Sequence, residues 1–457
     1  MSAHVSLVEK YHTAAPRYTS YPTVPYWDNN KFDFDIEGWK ESVKFSFKQS
    51  NNKDGISLYI HLPYCESLCT YCGCNTRITK NHNVEQPYIK AVLKEWTLYR
   101  ELFNDKPIIR EIHLGGGTPT FFNPGNLQLL INGLLWGSVI HPQAEFSFEA
   151  HPDNTSTAHL HALYDLGFRR LSLGIQDFDP EVQRIINRRQ SFEQVKKVTE
   201  DARAIGYTSI NYDLIYGLPL QTLEGLAATI QKVSELAPDR IAFYSYAHVP
   251  WIKPGQRMFT EHDLPDAHNK RKLYEVGYSL FTQYGYQEIG MDHFALVTDS
   301  LYKAEQAGLL HRNFMGYTHQ YTQLLIGLGV SAISDTWYAY AQNVKSVEAY
   351  ITLLNENHFP AFKGHLLTQE DLVIRRHILN IMCKGETSWN HHTHRCEAFL
   401  SGLERMQALA DDELVELNSW SLKVTPLGKR YLRNICMALD ARLWVAQPAA
   451  QLFSMAG

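Results

Sequence analysis

The chain has 457 residues, 44% of them hydrophobic and 20% charged, which excludes a largely disordered protein and leaves room for a large core with additions. Its 43 basic and 48 acidic side chains give a net charge of −5, so there is no basic surplus for a nucleic-acid backbone. Seven cysteines, four of them bunched, do not make a secreted disulfide framework. Neither a signal-peptide run nor a stretch of 18 apolar residues occurs, so no membrane span is expected and a reducing cytoplasm is the expected compartment.

Residues 1–55 form an N-terminal arm interrupted by Pro16, Pro22 and Pro25. Within it Pro16-Arg17-Tyr18-Thr19-Ser20-Tyr21-Pro22 joins one cation to two tyrosines, as an arm packed on a domain or a flap over an anion site would. From residue 56 short β-branched runs recur at Ser57–Leu62, Glu111–Leu114, Glu145–Glu149, Arg170–Ile175, Ser209–Ile215 and Arg240–Tyr246. Helical spacing fills the gaps. One helix is expected to start at Pro87 and carry Ile89, Val92, Leu93, Trp96 and Phe103, with others over 124–135, 157–166, 192–205 and 223–236. Six strand-plus-helix units in series predict a parallel sheet. Polar residues and glycines gather at the strand C-termini, at the cysteines, Gly115-Gly116-Gly117-Thr118, Glu149, Gln176, Asp213 and Ala247-His248. A doubly wound sheet or a complete or partial barrel would each satisfy the series; active sites of α/β barrels are built at that end from several strands, which favours the barrel.

The barrel and its extension are expected over 56–365, and a mainly helical C-terminal domain over 366–457. A two-strand wing around Val415–Val424 precedes the last helix there, but ten basic and ten acidic residues in this part give no electrostatic support for DNA binding.

Cys65, Cys69 and Cys72 read CxxxCxxC, and Cys74 follows after one glycine. Four thiols within ten residues crowd a single tetrahedral zinc, so an iron–sulfur cluster is the favoured reading. Three ligands would leave one iron of a four-iron cluster open. The motif, with Tyr71 before the third cysteine at the end of the first strand, resembles the radical S-adenosylmethionine superfamily. That resemblance implies a partial (β/α)6 TIM-like barrel and a [4Fe–4S] cluster on Cys65, Cys69 and Cys72 whose open iron binds S-adenosylmethionine. Such a cofactor explains the glycines at 115–117, where backbone must come close, Glu149 and Asp213 as acceptors for ammonium or ribose, and Arg188 as a planar partner for a carboxylate.

The stretches PRYTSYP at 16–22, CxYCGCN ending at 75, GGGTPT at 115–120, GIQDF at 174–178, DLIYGLP at 213–219, GMDHFA at 290–295, HRNF at 311–314 and GVSAIS at 329–334 narrow the likeness. In order along nearly the whole chain, they resemble the oxygen-independent coproporphyrinogen III oxidases; Cys74 favours these over related haem chaperones. The family implies two S-adenosylmethionine molecules. Tyr59, Gly116, Glu149 and Ile333 match positions given to the first, and Gly117, Thr118, Gln176, Arg188, Asp213 and Ala247 those given to the second, with Tyr71 near the cluster. It also implies coproporphyrinogen III as substrate, with Arg17, Arg312 and Arg433 as candidate anchors for its carboxylates. A flavodoxin or ferredoxin as one-electron reductant and a monomeric state are further expectations. A radical enzyme acting on haem and a non-catalytic haem carrier are the alternatives. The chain departs from the family at Cys383-Lys384-Gly385, where an asparagine and an aromatic commonly follow the cysteine.

Overall fold

The computed structural model describes residues 6–27, 34–446 and 453–455. Its centre is six parallel strands: β1 (Ile56–Leu62), β2 (Ile108–Gly116), β3 (Val139–Ala150), β4 (Phe168–Gln176), β5 (Ser209–Tyr216) and β6 (Arg240–Ser245), paired in chain order. The six expected strands are all present, most of them a few residues longer than their apolar runs. The sheet does not close on itself. Beyond β6 it continues through an antiparallel pair, β7 (Tyr286–Gly290) and β8 (His293–Leu296). Beyond β1 lie β9 (Leu325–Leu328), parallel to β1, and the antiparallel strands β10 (Ile333–Asp335), β11 (Ala339–Asn343) and β12 (Ala361–Leu366). The twelve strands run β12-β11-β10-β9-β1-β2-β3-β4-β5-β6-β8-β7.

Helix α1 (Ile36–Ser50) packs on the β10–β12 end, where Ser46 donates to the Thr336 carbonyl at 2.6 Å. The crossover helices are α2 (Glu85–Arg100), α3 (Pro124–Leu135), α4 (Thr157–Asp165), α5 (Phe192–Ile205) and α6 (Leu223–Leu236). Three of them have the bounds expected from the sequence, because each is marked by a cap: Asn123 before Pro124, a Ser191–Gln194 capping box, and Thr222 accepting from Gly225 N–H. Helix α2 instead begins at Glu85, two residues before Pro87, and ends before Phe103. Pro87 still falls in the first turn, where its missing N–H leaves no bond unmade. The Glu85 carboxylate, wholly buried, accepts from Asn123 N–H at 2.9 Å and Asn126 Nδ2 at 2.7 Å, and so fixes the start.

Helix α7 (Ala267–Gln283) covers the β6 side. A second apolar core joins α8 (Gln369–Lys384), α9 (Glu397–Asp411) and α10 (Leu432–Leu439) to Tyr18 and Tyr21 of the arm and to Ile289, Ala295 and Tyr317. Gly385, the last residue of the Cys383-Lys384-Gly385 departure, ends α8 at φ 66°, a left-handed position that suits glycine. The expected wing is a three-stranded sheet of Glu386–Ser388, Val415–Leu417 and Ser421–Val424. Arg433 on α10 donates to the carbonyls of Ala15, Pro16, Ser454 and Met455 and clasps both tails of the chain.

Candidate active site

Strand alternation builds the site. Residues two apart on β2–β6 project into the barrel: His113; Ser147 and Glu149; Arg170, Ser172 and Gly174; Asn211, Asp213 and Ile215; Arg240, Ala242 and Tyr244. They line a cavity of about 370 Å³ that reaches the cysteine loop at the strand C-termini. Two of the deeper carboxylates are matched by arginines, while Glu111 has a hydroxyl partner and is raised by burial. Arg170 pairs with Glu145, and His319 Nε2 lies 3.2 Å from the same carboxylate. Burial alone would raise Glu145, but the Arg170 charge and the His319 hydrogen bond override it and hold the carboxylate well below the usual range. Arg240 donates to Asp299 at 2.7 Å, Ser209 to the other Asp299 oxygen at 3.1 Å, and Ser57 to Glu111 at 2.9 Å.

Nearer the rim the groups are less fully engaged. Glu149 Oε2 accepts from Gly116 N–H at 3.2 Å and His113 Nε2 stands 3.4 Å from Oε1, yet the side chain is 43% exposed, so acceptor capacity faces the cavity. Asp213 accepts from Asn211 Nδ2 at 2.8 Å and Ser172 Oγ at 3.1 Å; burial, with the Glu149 charge adding, pushes its carboxyl up to about 7. The buried Arg188 is spread between walls. It donates to the Gly174 carbonyl, to Gln190 Oε1 at 2.9 Å and to the Tyr71 hydroxyl at 3.2 Å.

The cysteine loop is anchored at both ends. Tyr64–Cys65 pairs in parallel with Arg77–Ile78, Thr70 N–H donates to the Ile186 carbonyl at 3.0 Å, and Asn187 Nδ2 to Leu68 at 2.7 Å. Each sulfur of the trio meets a different polar group: Cys65 the Thr118 hydroxyl at 3.4 Å, Cys69 Arg188 Nη1 at 3.8 Å, and Cys72 the Cys74 N–H at 3.4 Å. Burial pushes the Cys65 thiol up to about 11, whereas hydrogen bonding from Cys74 lowers Cys72. Among the described residues no three Cys, His, Asp or Glu side chains converge on one metal ion. Three separate thiols with polar support on one cavity wall fit a multi-iron cluster, in which each sulfur meets its own iron. The adjoining backbone is close-packed: a Cβ on Gly117 would lie 2.6 Å from the Pro63 carbonyl, and one on Gly116, at φ 117°, 2.9 Å from the His61 ring.

Of the residues expected at the site, Cys65, Cys69, Cys72, Tyr71, Gly116, Gly117, Thr118, Glu149, Gln176, Arg188 and Asp213 line this single cavity. Tyr59, Ala247 and Ile333 stand behind its wall. The Tyr59 ring backs Gly115, and its hydroxyl is 3.1 Å from His61 Nδ1. Ile333 packs its carbonyl on Gly327, which pairs with Tyr59. The Ala247 carbonyl accepts from Gln256 Nε2 at 3.2 Å, and the same amide donates to the Tyr71 carbonyl at 3.1 Å. The three arginines do not line the cavity either. Arg17 pairs with Asp292 and sits 5.7 Å over the Tyr244 ring. Arg312 is buried 4.5 Å over Tyr317, a lining residue, and Nη2 donates to the Arg17 carbonyl at 3.3 Å. Its Nε and Nη1 have no partner among the described residues. Arg433 is taken up by the tails.

Sequence reasoning missed His113, Ser147, Ser172, Asn211, Tyr244, Gln256 and His293. All but Gln256 and His293 carried a readable signal, since polar or aromatic residues recur at every second position of five strands that are otherwise apolar. His293 faces the cavity from β8; its Nδ1 lies 2.9 Å from the Met291 carbonyl, and burial lowers the ring to about 4, so it is neutral.

Residues 59–233 match the family profile described as the Radical SAM superfamily. The chain is 38% identical over 444 residues to an oxygen-independent coproporphyrinogen III oxidase of Salmonella typhimurium, covering 96% of this chain and 95% of that one. It is 37% identical over 459 residues to the protein of that name from Synechocystis, covering 98% and 97%. Among solved structures, a coproporphyrinogen III oxidase from Escherichia coli, described as a radical SAM enzyme, superposes with a TM-score of 0.87 at 38% identity, covering 93% of this chain and 97% of that one.

Proposed function

The chain belongs to the oxygen-independent coproporphyrinogen III oxidases of the Radical SAM superfamily, and from that membership we infer that it converts coproporphyrinogen III to protoporphyrinogen IX in porphyrin and haem biosynthesis. The observation that carries this is the near-full-length identity to curated oxidases together with three supported thiols on the wall of one deep cavity. Each of two propionates gives up a hydrogen atom from its β-carbon, carbon dioxide and one electron, and becomes a vinyl group.

A [4Fe–4S] cluster with S-adenosylmethionine supplies the one-electron cleavage that generates a hydrogen-abstracting carbon radical. Cys65, Cys69 and Cys72 are the residues that would hold it. Arg188 and Gln256 keep the loop and Tyr71 in place. Glu149 offers its spare acceptor capacity to an ammonium, and Gly116 and Gly117 let backbone approach. Asp213, Gln176 and Thr118 face the same space and suit hydroxyl and carboxylate groups of a second S-adenosylmethionine; Tyr59, Ala247 and Ile333 back the two sites. For the substrate carboxylates the geometry favours Arg17 and Arg312, which stand against the lining rings Tyr244 and Tyr317. Two unsatisfied Arg312 donors make it the stronger anchor. Arg433 acts through the arm it clasps.

We place the arm at 1–55, the barrel with its extension at 56–365 and the C-terminal domain at 366–457; the second core gathers the C-terminal helices, with Tyr18 and Tyr21 of the arm and Ile289, Ala295 and Tyr317 of the extension packed into it. A flavodoxin- or ferredoxin-like reductant, a monomeric state and a cytoplasmic location complete the proposal; no helix among the described residues is long and apolar enough to cross a membrane. Anaerobically reconstituted protein with dithionite, S-adenosylmethionine and coproporphyrinogen III is expected to release protoporphyrinogen and 5′-deoxyadenosine. Deoxyadenosine without loss of carbon dioxide would overturn the substrate assignment, and tight haem binding without turnover would make the chain a carrier.

A further inference from the structure

A second cavity, of about 70 Å³, lies where β5, β6 and α7 meet the arm and the segment leading into α10. It is on the other side of the sheet from the active site: Ile215 and Tyr244 line the main cavity, whereas their neighbours Tyr216 and Ser245 line this one. Six cations reach it, namely Arg17, Lys270, Arg271, Lys429, Arg430 and Arg433. Three of them are accounted for. Arg17 is paired with Asp292, and Arg271 and Arg430 share Glu275 at 3.0 and 4.0 Å.

Lys270, Lys429 and Arg433 have no carboxylate in salt-bridge reach among the described residues. Among the described residues Lys270 donates only to the Tyr246 carbonyl, at 2.7 Å, and Arg433 only to backbone carbonyls and the Ser454 hydroxyl. Glu288, the other acid in the wall, takes the Tyr274 hydroxyl at 2.7 Å and is raised by burial towards its neutral form. Burial pushes Lys270 down to about 8, with the charges of Arg433 and Arg17 adding to the fall and Asp292 opposing it, in line with the six cations and two acids in the wall. At roughly 10–15 Å³ for each water-sized occupant, the cavity takes about five non-hydrogen atoms. That is the size of a tetrahedral oxyanion.

We propose that this flank pocket binds a phosphate group held by Lys270 and Lys429, with the charge of Arg433 alongside although its donors are spent on the tails. A bound anion there links the arm, the barrel and the C-terminal domain, and it neutralises a charge surplus that the carboxylates among the described residues leave uncovered. The site stands apart from the cluster, and Arg17 is the one residue it shares with the substrate reading.

The test uses the full chain and inorganic phosphate, followed by ³¹P line broadening at constant ionic strength set with chloride. Phosphate is expected to bind the wild type, and both Lys429→Met and Lys270→Met to weaken it at least tenfold. Lys429 is exposed, so Lys429→Met is expected to melt in chloride as the wild type does, which keeps the test valid if Lys270→Met folds poorly. Equal phosphate binding by Lys429→Met and the wild type, or no binding by the wild type, overturns the proposal. Competition with adenosine monophosphate separates the sources: displacement of phosphate assigns the site to a phosphate ester, and its failure to the free ion.

Discussion

The floor and the rim of the barrel both carry carboxylates, Glu145 and Glu149 on the same strand, yet they are finished differently. On the floor Glu145 meets Arg170 and His319, and Asp299 meets Arg240 and Ser209, so charge is cancelled by the protein itself. At the rim Glu149 has one backbone donor and a distant imidazole, Asp213 has only neutral partners, and the cysteines have single polar neighbours. Saturated charges hold strands together; charges with capacity left over hold ligands. The difference is visible in acidity, since Glu145 is pulled down by Arg170 and His319 while Asp213 is pushed up to about 7.

Substitutions at the two levels are therefore expected to fail in different ways. The largest effect falls at the rim: alanine at Cys65, Cys69 or Cys72 abolishes the visible iron–sulfur absorbance and takes turnover to background, while the melting temperature of the metal-free chain stays near wild type. Next comes the floor. Arg170→Met strands Glu145 in a buried site and is expected to destabilise the fold by about 3–5 kcal/mol in denaturant titrations. An unchanged stability there would erase the distinction between the levels. Glu149→Gln removes a charge-assisted contact worth about 1.5–3 kcal/mol, and is expected to raise the KM for S-adenosylmethionine roughly 10- to 100-fold with little loss of stability.

The smallest effect is a pH drift. A carboxyl raised to about 7 in the folded state favours folding fully below its ordinary range near 3.8, and that contribution is lost as pH rises through about 7. The melting temperature of the ligand-free wild type, measured relative to Asp213→Asn, is thus expected to fall between pH 4 and 7.5. A flat difference would show that Asp213 is as well compensated as the floor.

The barrel was legible because its strands are short β-branched runs and its helices carry caps such as Asn123 and Ser191. Strands β9–β12 were not. Leu325–Leu328 is four residues long and buried at every position, so it shows no alternation, and Gly327 and Gly329 read as a loop. The cysteines, Glu149, Asp213 and Arg188 were found because motif and position agreed. Gln256 was hidden, since its role is to bridge the carbonyls of Tyr71 and Ala247, and a backbone acceptor has no sequence signature. The substrate arginines were picked as charges in motifs, and only the fold distinguishes Arg312, with donors to spare, from Arg433, whose donors are spent on the tails.

The loop that carries the thiols is also held by residues that come much later in the chain. Arg188 follows Cys69 by 119 positions, and Gln256 follows Tyr71 by 185. At roughly 5–20 residues per second of synthesis, the thiols leave the ribosome about 10–40 s before the last of these supports exists. Through that interval they are free sulfurs in an unfinished sheet, open to oxidation and to stray metals. Iron is best delivered once β6 and the loop after it are in place, so the order of synthesis itself sets when the enzyme can be matured.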